Sequence, residues 1–231
     1  IPTYNRRKFI PLVIRNLLIQ SYPHNLINVI IDDDGPDAFF NGKALQDFKD
    51  LISPISITYL RYKDKRSIGE KRNNLCRYAF KKYGKKHIVA HMDDDDFYAE
   101  DYISYSVGLL KDYPKVNLIG SSDMIFVYPF NDWKMAYIRT ENKNLIHEAC
   151  IVYRLSLWKA SCGFEKSSKG EGKDMVMGHN PDTIMDISVA KSMVCVAHKD
   201  NTISKEQFKD AHIPFIFSPE DRVILSEILK I

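Results

Sequence analysis

Residues 87–97 read His-Ile-Val-Ala-His-Met-Asp-Asp-Asp-Asp-Phe. A short apolar run that breaks abruptly into charge is the signature of a buried strand reaching the edge of its sheet. Four consecutive carboxylates repel one another, and a divalent cation relieves that repulsion. In extended chain Asp93 and Asp95 point to one side, Asp94 and Asp96 to the other. Oxygen ligands with open positions left for phosphate and water suit Mg²⁺ or Mn²⁺. In open α/β sheets ligands bind beyond the carboxyl ends of strands, where this run falls. A solvated acidic loop would carry the same residues, but it would not need the apolar strand directly before it.

The surrounding chain alternates in the same way. Ile1-Pro2-Thr3 reads as the tail of a strand that begins upstream of Ile1. A helix follows with Phe9, Val13 and Leu17 on one face, and Tyr22-Pro23 stops it. Residues 28–31 form a second apolar run that enters Asp32-Asp33-Asp34-Gly35-Pro36. Residues 55–60 alternate as a third strand. Ser67-Ile68-Gly69-Glu70 has the capping-box spacing, which predicts a helix to about Tyr83. Another helix is expected from Tyr102 to Tyr113, ended by Pro114. Strand–helix alternation predicts an α/β fold with a largely parallel sheet flanked by helices. The second half is less regular. Strands are expected at 124–128, 135–139, 149–153 and 193–197, and Ser218-Pro219-Glu220 opens a last helix. No repeat, low-complexity tract or linker divides the chain, so one domain is expected over residues 1–231.

Composition narrows the class. The 231 residues carry 33 Lys and Arg against 30 Asp and Glu, so no broad basic field suggests a nucleic-acid partner. The balance conceals segregation. Residues 61–86 hold eleven basic and two acidic residues, whereas 87–101 hold six acidic residues and no Lys or Arg. A basic loop and helix beside an acidic strand end suits a diphosphate bridged to protein through a cation. Cys76, Cys150, Cys162 and Cys195 show no metal-binding spacing and read as reduced thiols. No apolar run reaches the ~18 residues that span a bilayer. The expectation is a cytoplasmic protein, or a membrane-associated one whose anchor lies upstream.

Other residues with chemical potential recur at strand and helix ends. An Asp of the 32–34 run can accept a hydrogen bond from a base or ribose, although turns favour Asp and Gly for conformational reasons too. Arg66 and Arg72 flank a helix start, where forked donors favour phosphate. Gly163-Phe164-Glu165 and Gly170-Glu171-Gly172-Lys173-Asp174 place carboxylates on a glycine-rich loop, which suits a general base. His198 follows a predicted strand and is a candidate ligand.

The order of these features is more informative than any one of them. Pro2-Thr3-Tyr4-Asn5-Arg6, Ser21-Tyr22-Pro23, Ile30-Ile31-Asp32-Asp33-Asp34-Gly35, Gly69 with Arg72-Asn73, Met92 to Asp96, Gly163-Phe164-Glu165 and Glu171 follow one another in register. The chain resembles the family-two nucleotide-sugar glycosyltransferases with the GT-A fold. The resemblance is specific over the first hundred residues and looser afterwards. It implies a GT-A-like domain with a Rossmann-like sheet and a smaller, irregular acceptor-side sheet. Residues 1–115 would bind the nucleotide sugar, and 116–231 would bind the acceptor and carry the base.

By that resemblance Thr3, Tyr4, Asn5, Arg6, Asp33 or Asp34, Arg66, Arg72, Asp93 and Asp94 meet the nucleotide sugar. Asp95, with Asp93 and His198, holds Mn²⁺ or Mg²⁺ on the diphosphate. The family's Asp-x-Asp motif falls on Asp93-Asp94-Asp95. Three Asp stand where the first turn usually has two, and Lys71 stands where Ala is usual. The usual Asp of the base loop is Gly172 here, leaving Glu171 first and Asp174 second as the base. The Gln-x-x-Arg-Trp motif of processive relatives is absent. The implied activity is metal-dependent, inverting, non-processive transfer of a sugar, from a UDP-sugar by preference, to an acceptor hydroxyl. A nucleotidyltransferase using a nucleoside triphosphate and a catalytically degenerate nucleotide-binding module are the alternatives. Acceptor recognition is expected between Phe126 and Asn144, where Phe126, Tyr128, Phe130, Trp133 and Tyr137 either stack on a sugar or pack in the core.

Overall fold

The capping box at Ser67 forms as its spacing predicts. Glu70 N–H donates to Ser67 Oγ at 3.2 Å and Ser67 N–H donates back to Glu70 Oε2 at 3.0 Å. In the computed structural model, which describes residues 1–140, 142–214 and 216–231, this box opens the longest helix of the chain.

The first half contains β1 (Pro2–Thr3), α1 (Ile10–Leu18), β2 (Asn28–Asp33), α2 (Ala44–Ile52), β3 (Ser56–Arg61), α3 (Ile68–Tyr83), β4 (Ile88–Ala90), β5 (Phe97–Tyr98) and α4 (Tyr102–Asp112). Strands β1, β2 and β3 form a parallel sheet in that order, with Pro2 opposite Asp32 and Asp33 opposite Arg61. Pro11 lies in the first turn of α1, where its missing N–H costs nothing. Leu12, Val13 and Leu17 of α1 are buried. Helix α2 was not expected from the sequence. It buries Phe48 and Ile52, four residues apart on one face.

The second half contains β6 (Leu118–Gly120), β7 (Met124–Tyr128), β8 (Lys134–Ile138), β9 (Val152–Arg154), α5 (Leu155–Ala160), α6 (Lys173–Met177), β10 (Ile184–Asp186), β11 (Met193–Val196), β12 (His212–Ile213) and α7 (Pro219–Leu229). Ser218 caps α7 by accepting from Asp221 N–H at 3.4 Å. Two further sheets run β10-β6-β9-β4 and β12-β8-β7-β11-β5. The pairing is mixed. β10 with β6 and β11 with β7 are parallel, while β4–β9, β6–β9, β7–β8, β11–β5 and β12–β8 are antiparallel. The parallel sheet expected from strand–helix alternation therefore belongs to the first half. After β6 most strands lack an intervening crossover helix and pair antiparallel. The strand expected at 149–153 starts later, because Glu148–Cys150 forms a 3₁₀ turn.

The core is continuous across the halves: Ile31 of β2, Tyr102 of α4, Ile119 of β6 and Phe126 of β7 are all fully buried in one cluster. Phe126 and Tyr128 pack inside, whereas Phe130 is exposed. No helix among the described residues is long and apolar enough to cross a membrane.

Candidate active site

The carboxyl ends of β1 and β4 open onto a cleft of about 530 Å³. Thr3, Tyr4, Asn5 and Arg6 line one wall, Arg66 and Arg72 another, and Asp93, Asp94, Asp95 and Glu171 the floor and far side. The structure thus gathers most of the residues singled out in the sequence into one cavity. Asp33, Asp34, Asp174 and His198 are not part of its lining.

The first acidic run is used up by the fold. Asp33 accepts from Gly35 N–H at 2.9 Å, Phe39 N–H at 2.8 Å and the Tyr59 hydroxyl at 2.5 Å. Asp34 accepts from Arg66 N–H at 2.6 Å and pairs with Lys71. Lys71 also donates to the Thr3 carbonyl at 2.7 Å, tying α3 to β1. Asp32 pairs with Arg66 and accepts from Asn74 at 2.7 Å, yet burial still raises its carboxyl above the ordinary range. These partners explain Lys71 in place of a small residue: it is the buried counter-charge of Asp34.

The second run faces the cleft. Arg6 contacts Asp95 and lies 3.6 Å from Asp94, and it donates to the Asp200 carbonyl at 2.6 Å. Burial raises the Asp94 carboxyl, with Arg6 opposing the shift. Asp94 keeps one buried oxygen, Oδ2, outside any hydrogen bond of normal geometry. Asp96 instead serves the fold, accepting from Val196 N–H at 2.9 Å and so joining the run to β11. Asp93 accepts from Arg72 at 3.1 Å.

Arg72 is the hub of the far side. Its guanidinium also donates to Glu171 at 3.0 Å and contacts His91 Nδ1 at 3.0 Å. Burial disfavours the cation, but Asp93 and Glu171 outweigh it and hold Arg72 well above its ordinary range. Gly69, one turn earlier in α3, makes this pairing possible. A Cβ there would overlap the Glu165 carbonyl oxygen, so only glycine lets the 163–171 loop lie on the helix and bring Glu171 to Arg72. Asp174 lies beyond that loop, exposed on α6, and the structure does not bring it to the cleft.

His198 is buried beneath Asp95. Its Nε2 lies 2.9 Å from Asp95 Oδ2, while Nδ1 accepts from Asp200 N–H at 3.2 Å. With Nδ1 accepting, the proton sits on Nε2 and is directed at Asp95, and Asn201 Nδ2 also lies 3.0 Å from that nitrogen. Burial, with Arg6 and Lys8, lowers the imidazole to about 3, so it is neutral at physiological pH. Asn201 lies 3.4 Å from the same Asp95 oxygen. Among the described residues no three His, Cys, Asp or Glu side chains are grouped as a ready metal cage. The donors nevertheless fit Mg²⁺ or Mn²⁺, which is held by one or two carboxylates with the rest of its shell left to phosphate and water. Asp95 and the Asp94 oxygen that lacks a hydrogen bond of normal geometry offer hard donors, and Arg6 supplies the charge compensation a cation would otherwise give. His198 orients Asp95 in this tautomer and can ligate through Nε2 only in the other.

Among the cleft residues that sequence reading missed are His147 and Glu148. They sit at the 3₁₀ turn before β9, and no motif or spacing marks them. Burial, with Lys205, lowers His147 to about 4.

The family model described as Glycosyl transferase family 2 matches residues 1–163, well over half the chain. A search of curated proteins found no match. Among solved structures the fold is similar to mannosyltransferase PcManGT from Pyrobaculum calidifontis in complex with GDP-Man and Mn²⁺. That match has a TM-score of 0.59 and 19% identity, over 87% of this chain and 56% of the other. It is also similar to S. aureus TarS 1–349 in complex with UDP-GlcNAc, with a TM-score of 0.65 and 17% identity, over 99% of this chain and 65% of the other. At these identities the likeness is one of fold. The chain spans less than two thirds of the length of either structure.

Proposed function

The chain belongs to glycosyl transferase family 2, and on that premise we propose that it moves a sugar from a nucleoside diphosphate sugar to an acceptor hydroxyl, with inversion and one sugar per encounter. The observation that carries this reading is the juxtaposition of the Asp93–Asp95 edge with Arg6, Arg66 and Arg72 around one cleft. Carboxylates and guanidinium groups facing each other across ~530 Å³ match a diphosphate that needs both a cation and forked donors. A UDP-sugar is favoured, and GDP-sugars are the first competitors to test, since the two similar structures hold UDP-GlcNAc and GDP-Man.

In this reading Thr3, Tyr4 and Asn5 face the nucleoside, with Tyr4 stacked under the Lys65 ammonium 4.2 Å from its ring centroid. Arg66 and Arg72 orient the diphosphate. Asp95, with Asp93 and the Asp94 oxygen that lacks a normal hydrogen bond beside it, would hold Mn²⁺ or Mg²⁺, and His198 fixes Asp95. When bound, the cation supplies Lewis-acid neutralisation of the diphosphate. The protein's own contribution is a set of donors fixed in advance around the leaving group, together with a carboxylate that receives the acceptor proton. Glu171 and Asp174 are the carboxylates that the sequence nominates for that last role.

Calorimetry with UDP, GDP and UTP in the presence of MnCl₂ tests the reading. The expected result is diphosphate binding that EDTA abolishes and that Asp95→Ala abolishes as well. Preference for UTP over UDP, or full-rate release of diphosphate from UDP-sugars with the metal chelated, would overturn it. A thermal-shift screen of nucleotide sugars with Mn²⁺ then identifies the donor.

A further inference from the structure

A proton acceptor must have a lone pair to spare. The cleft-lining carboxylates differ sharply in that respect. Asp93 and Glu171 are committed to Arg72, Asp94 and Asp95 face Arg6, Asp96 accepts from Val196 N–H and Asp200 pairs with Lys8. A carboxylate held by a guanidinium is a poor base, because the ion pair stabilises its ionised form. Glu148 is the exception. Asp94 also keeps an oxygen without a normal hydrogen bond, but that oxygen is sealed from solvent and its carboxylate faces Arg6. Glu148 has no cation in contact among the described residues and feels Arg72 only through space. It lines the cleft and is half-buried. No hydrogen bond or ion pair joins its carboxylate to another described residue, and neither of its oxygens is sealed from solvent. Its backbone is fixed, since Glu148 O accepts from His91 at 2.7 Å and the turn is closed by Ala149 N–H donating to His147 Nδ1 at 3.3 Å. A rigid main chain thus presents an uncommitted carboxylate.

Gly172 explains how this side chain reaches its place. A Cβ on Gly172 would overlap Glu148 Cγ and lie 3.4 Å from its Cδ. The Glu148 stem therefore fills the volume that any side chain at 172 would enter. The φ of Gly172 is −87°, a conformation open to every residue. The glycine is thus required by the neighbouring glutamate, not by its own backbone.

Resting on the proposed transfer reaction, we infer that Glu148, and not Glu171 or Asp174, takes the proton of the acceptor hydroxyl. The hydroxyl oxygen forms its bond to the anomeric carbon as its proton passes to a Glu148 carboxylate oxygen. The bond from that carbon to the diphosphate breaks, and its electron pair leaves with the nucleoside diphosphate. Glu171 is then a positioning residue that holds Arg72.

The test uses the whole chain with Mn²⁺ and with UDP-GlcNAc, UDP-glucose and GDP-mannose as donors, water and simple sugars as acceptors. Released diphosphate gives turnover, and calorimetric UDP binding is the second readout. Glu148→Gln is expected to lower turnover about 10²–10⁴-fold, the usual worth of a general base, while UDP affinity holds. In Glu148→Ala/Gly172→Asp the vacated space accepts a carboxylate from the other loop, and turnover is expected to rise at least about tenfold above Glu148→Ala alone. Wild-type turnover in Glu148→Gln, with loss of turnover in Glu171→Gln at unchanged UDP affinity, overturns the assignment. Loss of UDP binding along with turnover in Glu148→Gln also overturns it, since a base is not needed to hold the nucleotide. A wild-type chain that neither binds UDP with Mn²⁺ nor releases diphosphate overturns the proposed function itself.

Discussion

Two runs of aspartates close two strands of this protein, and their fates diverge. Asp32, Asp33 and Asp34 are almost completely buried, at 0–2% exposure, and spend their oxygens on Arg66, Lys71, Tyr59 and the backbone of their own turn. Asp93, Asp94 and Asp95 line the cleft, where Arg6 and Arg72 face them, with His198 behind Asp95. The difference teaches that an acidic strand end is a structural device when it is sealed from solvent by donors of the fold, backbone N–H groups at Asp33 and buried side chains at Asp32 and Asp34. It is a candidate binding device when its partners are side chains that a ligand can displace. The first run holds the wall of the cleft, and the second offers the surface.

The contrast breaks most visibly at Asp95 and Asp33. Asp95→Ala is expected to cut turnover on the order of 10²–10³-fold, comparable to losing one preorganised charge-stabilising group, with chemical denaturation showing little change. Asp33→Ala should do the reverse. It strands Gly35 N–H and Phe39 N–H in a buried turn, and urea titration should show a loss of about 3 kcal/mol. If Asp33→Ala were stable but inactive, the division between the runs would fail.

Smaller changes sharpen it. Arg6 compensates Asp94 and Asp95 in the place of a cation. Arg6→Gln should therefore bind Mn²⁺ severalfold more tightly without nucleotide, read by electron paramagnetic resonance of free Mn²⁺. The mildest effect belongs to Asp32, whose carboxyl is raised by burial despite Asn74 and Arg66. A raised carboxyl stabilises the fold below its unfolded value of 3.8, and that contribution is lost as pH rises through the folded value. Asp32→Asn should flatten the fall in stability as pH climbs above about 4, read by urea titration across pH.

Much of the fold was legible because its signals are local. Ser67 and Glu70 are three residues apart, and the helix they open ends at Tyr83 as expected. Pro219 follows its cap directly. Helix α2 was missed although Phe48 and Ile52 have helical spacing, because no capping side chain marks its start: Lys43 stands at the N-cap and makes no cap hydrogen bond. Strands β6 and β10, only three residues each, are too short for a period to emerge.

The sequence by itself determined where β2 and β4 end, that both ends are acidic, and that a basic helix start lies between them, because periodicity and capping act over a few residues. Only the tertiary structure decided which carboxylates are committed. Arg72 meets Glu171 across 99 positions, and His198 meets Asp95 across 103. Glu148 and Gly172 likewise adjoin from separate loops. A carboxylate's availability depends on the donors around it, and folding draws those donors from distant parts of the chain.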